Sequence, residues 1–203
     1  LACLDLEGVL LPEIWIKFAE KTGIEELKLT TRDIPDYDEL MTGRLAILKK
    51  NNLKLNDIQK VIATLHPLDG AYDFLCWLKS EFQVIILSDT FYEFAQPLMK
   101  QLDYPTLFCH KLITNEDGEI INYQLRQQDQ KTKAVKALQG LNFQVISAGD
   151  SYNDTGMLQQ ADAGILFCPP EKVIKDFPQF PVTKNYDEFK IAFMNAKGVL
   201  EDK

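Results

Sequence analysis

Hydrophobic and polar positions along this chain form two kinds of block, short apolar runs and longer stretches with apolar residues at helical spacing. The short runs predict buried strands at residues 1–4, 82–87, 143–147 and 164–167, the last being the final core strand. The longer stretches predict helices at residues 12–20, 37–50, 55–65, 71–80, 91–101, 131–138, 154–160 and 186–197, the last of them polar. Two alternating arms around the turn Asn115-Glu116-Asp117-Gly118 predict a hairpin over residues 111–126.

The order of these elements indicates the fold class. Strands that alternate with helices are typical of an α/β fold with a parallel sheet. The helices at residues 12–20, 37–50 and 55–65 follow one another, with no strand among them, between the first predicted strand and the second. We therefore predict a Rossmann-like core domain formed by residues 1–10 and 69–203, interrupted by an inserted α-helical cap domain at residues 11–68.

The composition narrows the range of partners. The 203 residues carry a formal net charge of −8, and there is no basic stripe that could displace counterions from nucleic-acid phosphates. No apolar run approaches the roughly 20 residues that a membrane span needs, and we expect no signal peptide before the first predicted strand. We expect a cytoplasmic protein that binds neither nucleic acid nor a membrane. A small phosphorylated substrate fits only where local lysine, arginine or metal offsets the repulsion.

The cysteine and histidine residues indicate neither a zinc site nor a histidine-based active site. The four cysteines are Cys3, Cys76, Cys109 and Cys168. They are far apart and form no CxxC pair, so we expect buried reduced thiols and no structural zinc site. The two histidines, His66 and His110, stand apart from any acid-rich motif, which argues against a catalytic triad built on histidine.

Polar side chains follow three of the predicted strands at the point where each strand ends. Asp5 and Glu7 follow the first of these strands, Ser88 and Asp89 the second, and Asp150 the third. Because right-handed crossovers bring the carboxyl ends of parallel strands to one edge of the sheet, these residues should share a cleft. Two carboxylates at one strand end suit a nucleophile beside an acid/base, with a magnesium ion between their charges.

Two of these motifs also fit simpler structures. Residues 150–154 could begin a calcium loop, although Thr155 replaces the glycine at loop position six and Ala161 the glutamate at position twelve. Ser88-Asp89-Thr90 could be a helix cap.

Four elements occur in a distinctive order, Asp5-Leu6-Glu7-Gly8, Ser88-Asp89-Thr90, Lys131 and Gly149-Asp150-Ser151-Tyr152-Asn153-Asp154. This order resembles the haloacid-dehalogenase superfamily of phosphotransferases over most of the chain. The resemblance implies a Rossmann-like core with a C1-type helical cap and Mg²⁺-dependent phosphoryl transfer. Asp5 is then the expected nucleophile, which forms an aspartyl-phosphate.

The resemblance also assigns the other motif residues. Asp5, Asp150 and the backbone carbonyl of Glu7 are expected to hold Mg²⁺, and the Glu7 side chain is expected to act as an acid and then as a base. Ser88 and Asp89, with nearby backbone N–H groups, are expected at the phosphoryl oxygens.

Lys131 is expected to neutralise charge on the phosphoryl group, and Asn153 and Asp154 to orient the groups around it. Two alternatives stay open: Lys131 could be a solvated charge at a helix start, and Lys133 competes for the same role.

The predicted cap resembles that of the phosphoserine phosphatases in Pro12-Glu13-Ile14-Trp15 and in the helix that carries Arg44. The resemblance implies that Glu13 binds the substrate ammonium and Arg44 its carboxylate, which a planar guanidinium can pair in a bidentate manner. The alternatives are an acid that stabilises a helix start and a surface arginine.

One residue departs from the usual phosphoserine phosphatase pattern and indicates a smaller subgroup. Phosphoserine phosphatases usually carry Asp at the position of Glu7, whereas residues 5–10 and 30–40 closely resemble a bifunctional subgroup, phosphoserine phosphatase and phosphoserine:homoserine phosphotransferase. We expect L-phosphoserine to be dephosphorylated to L-serine, with water or homoserine as the acceptor, and the subgroup implies a homodimer. The alternatives are a phosphatase for another small phosphomonoester and a receiver-like signalling module, which is usually shorter with its phosphorylated Asp in mid-chain.

Overall fold

The computed structural model describes residues 1–30, 33–34 and 36–201. Its strands are β1 (Ala2–Leu4), β2 (Val84–Phe91), β3 (Leu107–Thr114), β4 (Ile120–Gln124), β5 (Ile146–Gly149), β6 (Ala163–Phe167) and β7 (Val182–Thr183). They form one sheet in the order β4-β3-β2-β1-β5-β6-β7, and each neighbouring pair is parallel except β3 and β4. The predicted α/β fold with a mostly parallel sheet is confirmed.

Helices cover both faces of this sheet, as a buried parallel sheet requires. Within the described residues they are α1 (Ile14–Thr22), α2 (Tyr37–Lys50), α3 (Leu55–Ile62), α4 (Ala71–Glu81), α5 (Tyr92–Met99), α6 (Gln130–Gly140), α7 (Thr155–Gln160), α8 (Glu171–Asp176) and α9 (Tyr186–Glu201). Local chemistry sets several of their ends. The Asp36 side chain caps α2 by accepting a hydrogen bond from the Glu39 N–H at 2.9 Å. Helix α1 ends where Gly23 takes a φ of 72°, a left-handed conformation that glycine adopts without strain.

The central position of β1 brings three strand ends together. Leu4 is paired with Ile86 of β2 on one side and with Ala148 of β5 on the other. The residues that follow these three strands therefore meet at one edge of the sheet, as the sequence predicted.

Strands β2 and β5 differ most from their predicted bounds. Strand β2 does not end at residue 87 but runs through Ser88-Asp89-Thr90 to Phe91, with an irregular register against β3 between Leu87 and Phe91. Strand β5 begins at Ile146, three positions after the start of the predicted run at residue 143. An irregularity of this kind re-aims side chains at a sheet edge, and here it occurs where β2 reaches the cleft.

The C-terminal region departs most from the prediction. Strand β6 is not the final strand, since the two-residue β7 and the six-residue α8 follow it, and elements this short leave no periodic pattern to detect. Helix α9 is not polar throughout, because it buries Phe189 and Phe193. The Phe189 ring stacks on Phe167 of β6 with centroids 4.7 Å apart, which packs α9 on the sheet.

Residues 11–68 contain α1, α2 and α3 and no strand within their described part, which fits the predicted cap. Side chains from this segment pack on the rest of the chain. The Trp15 and Phe94 rings meet edge to face with centroids 5.1 Å apart, and Gln59 donates a hydrogen bond to the Glu93 carbonyl at 2.8 Å. The division into core and cap domains stays a prediction. Thr31, Arg32 and Pro35, within the segment 30–40 that contributed to the subgroup resemblance, lie outside the described residues.

The cysteines are free of disulfide bonds, but the expectation of four buried thiols is wrong for two of them. Cys3 and Cys109 are buried, whereas Cys76 and Cys168 are exposed. Within the described ranges, every helix is too short or too polar to cross a bilayer.

Candidate active site

A cleft of about 360 Å³ opens at the carboxyl ends of β1, β2 and β5. It brings together all of the site residues predicted from the sequence, namely Asp5, Glu7, Glu13, Arg44, Ser88, Asp89, Lys131, Asp150 and Asn153. A larger and mostly apolar groove of about 720 Å³ lies against β6, β7 and α9 and contains none of these residues. The charged side chains therefore mark the smaller cleft as the candidate active site.

Lys131, at the start of α6, is the cation at the floor of this cleft. It is 5% exposed, and its Nζ lies 2.8 Å from Asp154 Oδ1, 2.9 Å from Asp5 Oδ1 and 3.5 Å from Asp89 Oδ2. Burial alone would lower the pKa of Lys131, but attraction to these carboxylates outweighs it and raises that pKa well above the usual range. Lys131 therefore stays charged, whereas Lys133 is exposed and does not line the cleft.

Asp5 lies beside this lysine directly after β1. Its Oδ1 also accepts a hydrogen bond from the Leu6 N–H at 2.7 Å, which fixes the orientation of the carboxylate. Burial and repulsion from Asp154 raise the pKa of Asp5 well above its usual value, although Lys131 opposes both. A buried carboxylate held in one orientation suits a nucleophile.

Asp5, Asp150 and Asp154 each present a carboxylate oxygen within 4.8 Å of the others. Asp154 is engaged on both of its oxygens, since Oδ1 contacts Lys131 and Oδ2 accepts hydrogen bonds from the backbone N–H groups of Asp150 at 2.9 Å and Ser151 at 3.1 Å. Asp154 therefore holds the loop after β5 in place. Asp5 and Asp150 are then the carboxylates suited to a metal ion, and an all-oxygen donor set fits Mg²⁺.

Gly8 leaves the space that the Asp150 carboxylate occupies. A Cβ atom at Gly8 would lie 2.6 Å from the Cγ of Asp150, closer than real Cβ atoms come, and the φ of Gly8 is +79°. The turn after β1 thus needs glycine both for its conformation and for the approach of Asp150.

Glu7 faces the start of α1 across the cleft. Its Oε2 accepts a hydrogen bond from the Ile14 N–H at 2.9 Å. Burial, followed by repulsion from Glu13, raises the pKa of Glu7 from 4.5 to about 7. A carboxyl group with a pKa near neutrality can donate and accept a proton at physiological pH.

Arg44 and Glu13 also line the cleft. Arg44 is 8% exposed, so the alternative of a surface arginine is wrong. Its Nη2 donates to the Leu29 carbonyl at 2.7 Å, and its guanidinium carbon lies 4.5 Å from the centroid of the Trp15 ring. Burial lowers the pKa of Arg44 to about 10, so the side chain stays cationic at neutral pH. Glu13 precedes α1 and is exposed, and its side chain makes no capping hydrogen bond.

Ser88 and Asp89 form the third side of the cleft. They lie within β2, and α5 begins after Phe91 without a side-chain cap, so Ser88-Asp89-Thr90 is not a helix cap. Ser88 is buried, and its carbonyl accepts a hydrogen bond from the Gln130 side chain. Burial opposes charge on Asp89, but Lys131 and His110 outweigh it and hold the pKa of Asp89 below its usual range.

Three residues of the site were not predicted from the sequence. Trp15 and Tyr37 line the cleft, and His110 lies with its Nε2 3.6 Å from Asp89 Oδ1. The expectation that His110 stands apart from acidic motifs is therefore wrong. No sequence signal links His110 to Asp89, because the pairing of β2 with β3 brings them together.

Comparisons with known proteins agree with this geometry. A sequence model of haloacid dehalogenase-like hydrolases matches residues 1–162. The chain is 63% identical over 198 residues to a phosphoserine phosphatase of Pseudomonas syringae pv. tomato, which covers 98% of this chain and 84% of that protein. It is 62% identical over 198 residues to the phosphoserine phosphatase ThrH of Pseudomonas aeruginosa, which covers 98% of this chain and 97% of that protein.

Solved structures share the fold at lower sequence identity. A crystal structure of a phosphoserine phosphatase in its apo form aligns with a TM-score of 0.73 and 20% identity over 90% of this chain and 92% of that chain. A substrate-bound phosphoserine phosphatase complex aligns with a TM-score of 0.71 and 19% identity over 90% and 92%.

Proposed function

Since the chain belongs to the haloacid dehalogenase-like hydrolase family, we propose that it transfers the phosphoryl group of L-phosphoserine to Asp5 and then to water, with Mg²⁺ as its cofactor. One observation carries the proposal: a single cleft contains both the Asp5–Lys131 pair and the Arg44 and Glu13 side chains. The first pair suits phosphoryl chemistry, and the second suits a zwitterionic amino acid. The relatives at 62–63% identity are phosphatases named for phosphoserine.

The proposed first step breaks the phosphate ester. An Asp5 carboxylate oxygen attacks phosphorus, the bond from phosphorus to the serine oxygen breaks, and the departing oxygen takes a proton from Glu7. Glu7 can supply that proton because its pKa is raised to about 7. Lys131 neutralises charge that builds on the phosphoryl oxygens, and the Ser88 hydroxyl is suited to hold one of them.

In the proposed second step, the Glu7 carboxylate takes a proton from water while the water oxygen attacks phosphorus. The bond from phosphorus to the Asp5 oxygen breaks, which releases inorganic phosphate and restores the free carboxylate. Mg²⁺, held by Asp5, Asp150 and the backbone carbonyl of Glu7, would supply positive charge next to the transferring group. Asn153, which follows β5, would help to orient the groups around the phosphoryl group.

Substrate choice would rest on Arg44 and Glu13. Arg44, supported by Trp15 and the Leu29 carbonyl, would pair with the substrate carboxylate, and Glu13 with its ammonium. Homoserine carries the same two charged groups and a free hydroxyl, so it can compete with water for the phosphoryl group. We include homoserine as a second acceptor because of the identity to ThrH and because Glu7 stands where phosphoserine phosphatases usually carry Asp.

Incubation with phosphoserine and Mg²⁺, with and without homoserine, tests both parts of the proposal. Free phosphate, serine and phosphohomoserine would be followed together. We expect serine in each reaction and a shift from phosphate to phosphohomoserine when homoserine is added. If homoserine leaves the phosphate yield unchanged, it is not an acceptor. If phosphoserine stays intact, it is not the substrate.

A homodimer also stays a prediction, which light scattering after gel filtration checks.

A further inference from the structure

Asp89 places a carboxylate at the end of the cleft where the phosphoryl group is proposed to bind, and three hydrogen-bond donors surround it. Its Oδ2 lies 3.5 Å from Lys131 Nζ, and its Oδ1 lies 3.6 Å from His110 Nε2 and 3.3 Å from Gln130 Nε2. A carboxylate at this position repels a phosphate dianion when taken alone. Its contribution must therefore come through the groups that it contacts.

The orientation of His110 follows from its other ring nitrogen. His110 is 3% exposed, and its Nδ1 accepts a hydrogen bond from the backbone N–H of Arg126 at 3.0 Å. A neutral imidazole that accepts at Nδ1 carries its hydrogen on Nε2, and Nε2 is the atom that faces Asp89. The Arg126 guanidinium lies 4.0 Å from the centroid of the Phe108 ring, which holds the donor segment against β3.

Lys131 is the group through which Asp89 can act on the proposed phosphoryl site. It is shared between Asp5, Asp154 and Asp89, and the separation is largest for Asp89. Without His110, the Gln130 amide is the donor that remains to Asp89 Oδ1 among the described residues, and the carboxylate can turn both oxygens towards Lys131. That movement would draw the ammonium away from Asp5 and from the phosphoryl oxygens.

We propose that His110 is a positioning residue: its Nε2–H holds the Asp89 carboxylate so that Lys131 stays against Asp5. The inference rests on the proposed function, in which Lys131 neutralises the transferring phosphoryl group. His110 itself touches neither the substrate site nor the reacting atoms. The contacts lead from His110 in β3 through Asp89 to Lys131.

This position predicts a particular kinetic signature. His110 acts through Asp89 and Lys131, which serve the proposed phosphoryl transfer and not the binding of the substrate carboxylate. Its loss should slow phosphoryl transfer from every substrate by the same factor, whether or not the substrate has a carboxylate. The fall should lie in kcat, since charge neutralisation matters most in the transition state.

The test compares His110→Phe with His110→Gln. Phenylalanine keeps the ring volume and removes both nitrogens, whereas glutamine can present an amide N–H where Nε2–H stood. The control is His66→Gln, because His66 is exposed, contacts Gln101 at 3.2 Å and does not line the cleft. The kcat and KM of each variant would be measured with phosphoserine and with p-nitrophenyl phosphate.

We expect His110→Phe to lower kcat about tenfold on both substrates, His110→Gln to recover most of it, and His66→Gln to match the parent protein. A parent-like kcat for His110→Phe, unequal losses on the two substrates, or a loss that glutamine does not recover would each overturn the proposal. The last result would indicate that only the packing of the ring matters.

A measurement on the unaltered protein decides the matter even where His110→Phe fails to fold. The ¹⁵N chemical shifts of the His110 ring report which nitrogen carries the hydrogen. Hydrogen on Nε2 supports the proposal, and hydrogen on Nδ1 removes it. If the unaltered protein hydrolyses the aryl phosphate and leaves phosphoserine intact, the proposed substrate fails, while the aryl phosphate and the ring shifts still test His110.

Discussion

Lys131 and Asp5 form a buried ion pair, with Nζ 2.9 Å from Oδ1. The same ammonium lies 2.8 Å from Asp154 Oδ1, so one lysine places its positive charge between two buried carboxylates. The pair joins α6 to the end of β1. It is therefore a structural contact as well as the proposed centre of phosphoryl transfer.

Replacing Lys131 should cost both activity and stability. Lys131→Met keeps the length of the side chain and leaves the two carboxylates without their cation. Breaking a buried pair in this way typically lowers the free energy of unfolding by about 3–5 kcal/mol. Urea denaturation in metal-free buffer measures this change, and a phosphatase assay measures the loss of turnover.

The control for this substitution is Lys133→Met, two positions along the same helix at an exposed site. Its free energy of unfolding should stay within about 0.5 kcal/mol of the parent. Equal effects at the two lysines would contradict the assignment of Lys131.

Arg44→Ala should impair substrates that carry a carboxylate. A hydrogen bond to a charged group contributes about 1.5–3 kcal/mol, which corresponds to a rise of about 10-fold to 100-fold in KM for phosphoserine. The KM for p-nitrophenyl phosphate should hardly change, since that substrate has no carboxylate. Lys50→Ala, at an exposed site near the end of the same helix, is the matched control. A parallel rise in KM for both substrates would remove Arg44 from the proposed carboxylate site.

Gly8→Ala should weaken metal binding. The new Cβ would lie 2.6 Å from the Asp150 Cγ, so the carboxylate must move away from Asp5. Gly23 makes a close control, because its φ is +72° and nothing lies within 4 Å of a Cβ placed there.

Both glycine substitutions carry the cost of a left-handed residue, about 1–2 kcal/mol, but only Gly8→Ala should raise the Mg²⁺ concentration needed for half-maximal activity. Titration of Mg²⁺ into chelator-treated protein checks this expectation. The same Mg²⁺ requirement in both variants would show that Asp150 is not held by the space at Gly8.

Glu7 should make stability depend on pH. Its pKa is raised from 4.5 to about 7 in the folded protein, so between these values the folded chain keeps a proton that the unfolded chain releases. The stabilisation is present in full below pH 4.5 and is lost as the pH rises to about 7. Glu7→Gln lacks this titration, so the parent should lose stability relative to the variant as the pH rises.

Denaturation of metal-free protein at a series of pH values measures this difference, with Glu26→Gln at an exposed site as the control. A difference between parent and Glu7→Gln that stays constant with pH would contradict the raised pKa.

Much of the fold and of the site followed from the sequence alone. The bounds of α2 at Tyr37–Lys50 are as predicted, because a regular apolar spacing ends at the capping residue Asn51. The meeting of Asp5, Ser88 and Asp150 was also predictable, since strand ends in a parallel sheet share an edge. These inferences need only local periodicity and the chirality of the chain.

Tertiary structure decided the rest. It distinguished Lys131 from Lys133, buried Arg44 over Trp15, continued β2 through Ser88-Asp89-Thr90 and turned the apolar side of α9 towards the sheet. It also brought His110 to Asp89 across paired strands. Each of these outcomes depends on which side chains, distant in the sequence, come into contact in the folded chain. The periodicity of one segment does not indicate which other segment it will contact. Only the assembled sheet therefore determines which charged side chains lie next to one another.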